Sequence, residues 1–285
     1  MDRAFYTAPI TRATPTAFII LLDQSGSMSE PTLFDGIAQS KAEALATVTN
    51  ALVDELVDRC RRVGGINDYY HIAILGYSGL GVRNLLCERG FVVPSELAAR
   101  KVGQYSVVRE RTLPDGRTVM TTTLNNRWVE PTATGSTPMF EALSTAWRMA
   151  DEFCADERFR NSYPPTIFNI TDGEATDAMD TQLLAIAEQL KALSTLDGGA
   201  MLVNINLSSA TDARRIVFPT SEHELPDDHY ARLLYRMSSE LPARYTQHIM
   251  RLRPDVPHGP FRAMSFNAMI SDVVAMLNIG TITSI

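Results

Sequence analysis

Six apolar residues in succession, Ala17-Phe18-Ile19-Ile20-Leu21-Leu22, run directly into the polar turn Asp23-Gln24-Ser25-Gly26-Ser27. An unbroken apolar run of this length reads as a strand buried on both faces. Ser29-Glu30-Pro31 reads as a helix entry, because proline is tolerated in a first turn. Apolar positions at Leu45, Val48, Leu52, Val53 and Leu56 predict one helix from Leu33 to about Arg62, with Gly64-Gly65 ending it. His71 to Tyr77 is a second strand. Tyr105 to Leu113 and Arg117 to Leu124 flank Pro114-Asp115-Gly116 and read as a β-hairpin at one edge of the sheet.

Further on, Thr134-Gly135-Ser136-Thr137-Pro138 introduces a helix from Met139 to Ala155, with Thr137 as its expected cap and Pro138 as its first residue. Thr166 to Ile170 is a strand that ends at Thr171-Asp172-Gly173. A helix over Thr181 to Leu193 and a strand over Ala200 to Leu207 follow. The pattern weakens from Ser208 to Pro260, where a helical piece at Tyr230 to Ser239 sits among prolines. A last helix spans Ala268 to Leu277. Such alternation predicts an α/β fold: a doubly wound, mostly parallel central sheet flanked by helices, with an inserted β-hairpin. The expected organisation is one domain over residues 1–285, with a core at 16–207, a hairpin insertion at 105–124, an irregular segment at 208–260 and a closing helix at 268–277.

Composition narrows the class. The 285 residues are 45% hydrophobic and 21% charged, as in an ordinary globular protein. A net charge of −7 and a pI near 5.3 argue against nucleic acid or an anionic membrane as the main partner. Met1 to Pro15 is polar, and the apolar run after it is too short to span a bilayer. Cys60, Cys87 and Cys154 are odd in number and far apart, which suits reduced thiols. The expected location is cytoplasmic.

The turn after the first strand carries the chemistry. It presents a carboxylate and two hydroxyls at the carboxyl end of a buried strand, where open α/β sheets bind ligands. A carboxylate with neutral hydroxyl oxygens suits a hard divalent cation that keeps several waters, and such a centre can capture an acidic side chain of a partner. Enzyme signatures are missing. Ser25 lacks the first glycine of a G-x-S-x-G elbow, and neither a G-x-x-x-x-G-K-[ST] loop nor a G-x-G-x-x-G after the first strand is present. Ser25 also stands where an aspartyl-phosphate phosphatase would need a second carboxylate.

Asp23-x-Ser25-x-Ser27, Thr137 in T-G-S-T-P and Asp172 in T-D-G occur in this order at strand ends or before a helix. With them the chain resembles the von Willebrand factor A family and its metal-ion-dependent adhesion site, over about Phe18 to Leu207 plus the closing helix. The resemblance implies that Ser25 and Ser27 are direct ligands and that Thr137 is a third hydroxyl ligand, direct or through water. Asp23 and Asp172 become carboxylates that hold the ion directly or through its waters. Mg²⁺ is the implied ion, with Mn²⁺ serving in vitro. Arg127-Trp128-Val129-Glu130-Pro131 and Ser265-Phe266-Asn267-Ala268 look like tellurite-resistance-type and stress-associated bacterial members. Similar proteins are encoded beside kinases, phosphatases or MoxR-type AAA ATPases, which are the implied partners. The expected function is a scaffold or adaptor, not an enzyme, in a bacterial stress-response or defence system. A metal-dependent phosphoester hydrolase and a metal-free scaffold with a vestigial site stand as alternatives.

Other polar residues read more plainly. Glu174 and Asp177 are expected as solvated acids near a helix start. His223 and His229, among Glu222, Glu224, Asp227 and Asp228, match no ligand spacing and read as a polar loop. His71 reads as a structural histidine, and Trp147 and Met149 as packing residues. The hairpin is either a seat of partner specificity or an inert edge.

Overall fold

The computed structural model describes residues 5–34, 37–112, 117–207, 214–253 and 259–280. Seven strands form one sheet and two form a separate ribbon. In chain order they are β1 (Thr16–Asp23), β2 (Tyr70–Ser78), β3 (Gly81–Asn84), the ribbon strands β4 (Gln104–Thr112) and β5 (Thr118–Asn126), then β6 (Thr166–Thr171), β7 (Met201–Leu207), β8 (Ile216–Val217) and β9 (Met264–Ala268). The sheet order is β8-β9-β7-β6-β1-β2-β3. The five inner strands run parallel, and β8 and β3 close the two edges antiparallel. The helices are α1 (Lys41–Arg59), α2 (Pro94–Ala99), α3 (Met139–Ala155), α4 (Asp180–Ala192), α5 (His229–Met237), α6 (Thr246–Leu252) and α7 (Ile270–Gly280). This is the expected α/β, doubly wound, mostly parallel sheet with an added hairpin.

Every residue of β1 is buried, and its side chains divide between two cores. Phe18, Ile20 and Leu22 join Leu45, Val53 and Leu56 of α1 and Val273 and Met276 of α7. Ile19 and Leu21 point the other way, to Leu143 of α3, Leu183 of α4 and Leu234 of α5. The period of two along a strand therefore feeds two helical layers. A line of buried polar side chains crosses the second face. Tyr77 Oη donates to Asn169 Oδ1, Asn169 Nδ2 to Asn204 Oδ1, and Asn204 Nδ2 to Ser238 Oγ, each at 3.0 Å. Each of these buried groups thereby finds a partner.

Several expected elements differ. The single helix from Leu33 to Arg62 is a short hairpin, Pro31–Phe34 paired with Ile37–Ser40, followed by α1. Proline fits the first residue of a strand as well as of a helix, and Pro31 takes the strand. Ser40 starts α1 through a reciprocal capping box: its hydroxyl accepts from Glu43 N at 3.2 Å, and the Glu43 carboxylate accepts from Ser40 N at 2.9 Å. The helix stops at Cys60, ahead of the glycines, and Gly65 (φ +130°) opens the second strand of a tight hairpin that pairs Arg61–Arg62 with Gly65–Ile66. β9 lies where only a lead-in to the last helix was expected.

The hairpin is present as β4 and β5, while its expected Pro114-Asp115-Gly116 turn lies outside the described residues. It is not an edge of the main sheet, because β3 occupies that edge. Two polar side chains of α1 hold it instead. Asn50 Oδ1 accepts from the backbone N–H groups of Trp128 and Val129 at 2.9 and 2.8 Å. Asp54 Oδ1 accepts from Asn126 Nδ2 and Trp128 Nε1, both at 2.8 Å. No helix among the described residues is long and apolar enough to cross a membrane.

Candidate functional site

β1 and β6 are neighbours at the middle of the sheet, and the chain leaves them in opposite senses, toward β2 on one side and β7 on the other. Such a switch point opens a crevice at the carboxyl ends of the strands, the usual ligand position in this architecture. Asp23 ends β1, and Asp172 immediately follows β6. Topology alone therefore brings the two carboxylates to one rim.

The turn after β1 is held from within. Asp23 is buried, and its Oδ1 accepts from Ser25 N at 2.8 Å while Oδ2 accepts from the Thr171 hydroxyl at 2.7 Å. Burial raises the Asp23 pKa above the usual carboxylate value. The hydrogen bonds from Ser25 and Thr171 work in the opposite direction, and the Asp172 charge adds to the rise. Ser25 Oγ and Ser27 Oγ are 3.1 Å apart, and Ser27 Oγ donates to Asp172 Oδ1 at 2.7 Å. Three of the five expected ligands thus form one connected cluster, and Asp23 joins it through Ser25.

Thr137 lies on a loop that two glycines allow to pass close to the turn after β1, and among the described residues it makes no hydrogen bond to the cluster. Gly26 N donates to Gly135 O at 3.0 Å, and Thr134 N donates to Gln24 O at 2.8 Å. Gly135 sits at φ +70°, and a Cβ there would lie 2.7 Å from Gly79 Cα. Thr137 is buried and exchanges two hydrogen bonds with Thr176: its N–H donates to Thr176 Oγ1 and its carbonyl accepts from Thr176 N, both at 3.0 Å. That exchange ties the loop before α3 to the loop carrying Asp172. Thr137 is not the side-chain cap of α3, which was the expectation. The carboxylate of Asp177 accepts from Phe140 N and Glu141 N at 3.1 and 3.0 Å. Asp177 is thus an exposed acid at a helix start, as expected, but the helix is α3 rather than the one that follows it, so it also fastens the two loops.

Sequence reasoning missed three contributors: Thr171, Lys41 and Glu30. Thr171 precedes the expected Asp172 and orients Asp23. Lys41 Nζ lies 2.9 Å from both Asp172 Oδ2 and Glu30 Oε2. The Ser40-x-x-Glu43 box was the available signal that α1 begins at Lys41. Nothing local showed that its first side chain turns inward to a strand end 131 residues on.

The donor set can be tested against a divalent ion. Oxygens on adjacent corners of an octahedron of Mg²⁺ size stand about 2.8–3.0 Å apart. The Ser25–Ser27 and Ser27–Asp172 oxygen pairs, at 3.1 and 2.7 Å, bracket that spacing. Oxygen-only donors also suit a hard cation. The residues present fit such an ion. Among the described residues no cluster of three His, Cys, Asp or Glu offers an alternative metal site. The acidic loop near His223 is committed elsewhere: His229 pairs with Asp180, Glu222 with Arg236, Glu224 with Arg253, and Asp228 caps α5.

Beside the site, a groove of about 350 Å³ runs along α1 between the Pro31–Ser40 hairpin and the ribbon, lined in part by Phe34, Ile37, Glu43, Asn50, Tyr105 and Pro131. A smaller pit, lined in part by Asp23, Ala46 and Pro131, lies between this groove and the rim.

No protein-family model matches the chain, and no curated protein sequence matches it. Among solved structures, the chain is similar to a von Willebrand factor type A protein from Catenulispora acidiphila, at 16% identity and a TM-score of 0.40, over 68% of this chain and 34% of that one. It is similar to the vWF domain of the type V pili tip protein Mfa5 from Porphyromonas gingivalis, at 14% identity and a TM-score of 0.34, over 57% of this chain and 39% of that one. A membrane spanning protein from Vibrio fischeri aligns at 10% identity and a TM-score of 0.27, over 85% of this chain and 100% of that one. These likenesses assign no family. The chain spans little more than a third of the length of the first two, at 34% and 39%.

Proposed function

We propose that the chain is a divalent-metal-dependent protein-interaction module of the von Willebrand factor A type, which captures an Asp or Glu side chain of a partner protein. The observation that carries this reading is the connected set of Ser25, Ser27 and Asp172 oxygens, with neighbouring pairs 3.1 and 2.7 Å apart, placed at the switch point of the sheet.

Ser25, Ser27 and Asp172 would hold the ion, with Asp23 behind them and Thr137 supplying the hydroxyl from the opposite loop. Mg²⁺ suits the donors best, and Mn²⁺ would substitute in vitro. When bound, such an ion supplies a Lewis-acidic centre that accepts a carboxylate oxygen. The protein's part is to keep the donors neutral or already engaged. Both Asp23 oxygens accept hydrogen bonds, and Asp172 Oδ2 is taken by Lys41. Charge at the centre is therefore left for an outside anion. On this reading the protein is a cytoplasmic scaffold or adaptor in a bacterial stress-response or defence system, with a kinase, phosphatase or MoxR-type ATPase among the partners the family resemblance suggests.

The test is titration calorimetry of chelator-stripped protein with Mg²⁺ and Mn²⁺, run beside Ser27→Ala. Saturable one-site binding, lost in the variant, supports the reading. Absence of binding to the wild type, alone and with an acidic peptide present, overturns it in favour of a metal-free scaffold. Metal-dependent turnover of a phosphoester would instead point to a hydrolase.

A further inference from the structure

Lys41 is the first residue of α1, and only 4% of its side chain is exposed. Burying an ammonium is costly unless it is paired. Here it is paired twice, at 2.9 Å to Asp172 Oδ2, whose side chain is fully buried, and at 2.9 Å to Glu30 Oε2, whose side chain is 54% exposed. The Lys41 backbone N–H also donates to Glu30 O at 2.9 Å, so the residue is held at its main chain as well as at its ammonium. The Asp172 carboxylate is consequently divided. Oδ1 faces the serine cluster and accepts from Ser27, while Oδ2 faces Lys41.

We infer that Lys41 is a positioning and charge-setting residue of the site, which lowers its affinity for the cation and raises its demand for an anionic ligand. This inference rests on the metal-binding reading above. With Asp23 and Asp172 ionised, a divalent ion by itself would leave the cluster neutral. The Lys41 ammonium leaves it one positive charge in excess, in a setting with little water to screen it. Glu30 offsets part of that charge, but weakly, because its carboxylate is largely in solvent. The same contact locks Asp172 in the orientation that offers one oxygen to the ion and withholds the other. An acidic side chain is the ligand such a centre recognises, in preference to a neutral carbonyl or hydroxyl.

The experiment uses Mn²⁺ as the ion and acetate as the carboxylate probe, read by water-proton relaxation of the Mn²⁺-loaded protein. For Lys41→Met, Mn²⁺ affinity should rise on the order of tenfold while acetate affinity falls on the order of tenfold. Structural damage would lower both, so the opposed signs are diagnostic. Lys41→Arg should keep both near wild type. Glu30→Gln, on the exposed partner, should move the pair the other way, with Mn²⁺ binding a few-fold weaker and acetate a few-fold tighter. Lys41→Met values that match wild type, or that fall together in a folded variant, overturn the inference. If Lys41→Met does not fold, Glu30→Gln with unchanged acetate affinity overturns it. Wild-type protein that binds no Mn²⁺ sinks the metal reading itself, an outcome distinct from normal binding that ignores Lys41.

Discussion

Ser27 donates its hydroxyl to Asp172 Oδ1 at 2.7 Å across a sequence separation of 145 residues, joining the ends of the two central strands. Ser27 is exposed, whereas Asp172 balances the buried Lys41. The two substitutions should therefore separate. Ser27→Ala should reduce Mg²⁺ affinity at least about tenfold, the equivalent of roughly 1.4 kcal/mol, with a melting temperature close to wild type. Asp172→Ala should also cost about 3 kcal/mol of stability, because it strips a buried ammonium of one partner. Calorimetry and thermal unfolding of both variants check the split.

Gly135 and Gly79 touch backbone to backbone, and Gly135 adopts φ +70°. Gly135→Ala should destabilise the protein by about 1–3 kcal/mol, since the methyl meets Gly79 Cα and the backbone conformation disfavours a side chain. It should also loosen the loop that carries Thr137. The expected outcome is a lower melting temperature together with weaker Mg²⁺ binding. A glycine-to-alanine change at Gly64, where a Cβ meets nothing within 4 Å, is the control.

Asp54 is one of two α1 anchors of the ribbon, through Asn126 and the Trp128 indole. Asp54→Ala should loosen the ribbon on α1, leaving Asn50 as its remaining hold, while sparing the proposed metal site. Limited proteolysis should then cut within residues 104–126 faster than in wild type, with Mg²⁺ affinity unchanged. A loss of metal binding in this variant would show that ribbon and site are coupled.

His71 packs edge-on against Phe91, Phe153 and Phe159, and burial depresses its pKa below the ordinary 6.5. The Asp68 charge opposes that shift, Arg158 adds to it, and Asp156 opposes it. An unfolded chain protonates His71 near pH 6.5, whereas the folded one resists. Its contribution is therefore full above that value, falls as the pH drops through it, and levels off below the depressed folded value. His71→Phe should flatten the decline in melting temperature between pH 7.5 and 5.5 relative to wild type.

Much of the sheet was legible because its inner strands are continuous apolar runs and its helices carry one apolar face. Met139–Ala155 appears with the expected bounds. The misread stretch at Leu33 to Ser40 shows the limit: Leu33 and Ile37, spaced by four, satisfy a helix pattern, yet they lie on opposite strands of a hairpin and are 52% and 43% exposed. β9 was missed because Met264–Ala268 is short and its burial comes from β7 and β8 on either side. Asp177 was legible as a solvated acid at a helix start, but not as one serving α3, whose first N–H groups lie 36 and 37 residues before it.

By itself the sequence determined which residues carry oxygen donors and that each donor group follows a buried strand or introduces a helix. Apolar runs and turn chemistry are local properties, and local propensity writes them into adjacent positions. Only the tertiary structure decided which donors meet. Parallel pairing of β1 with β6 sets Asp23 beside Thr171 and Ser27 beside Asp172, and the close passage of Gly79 and Gly135 fixes the loop that carries Thr137. Lys41 entered the same way, from a helix start buried against the strand end. Contacts between distant segments depend on how elements pack, and no periodicity along the chain records that.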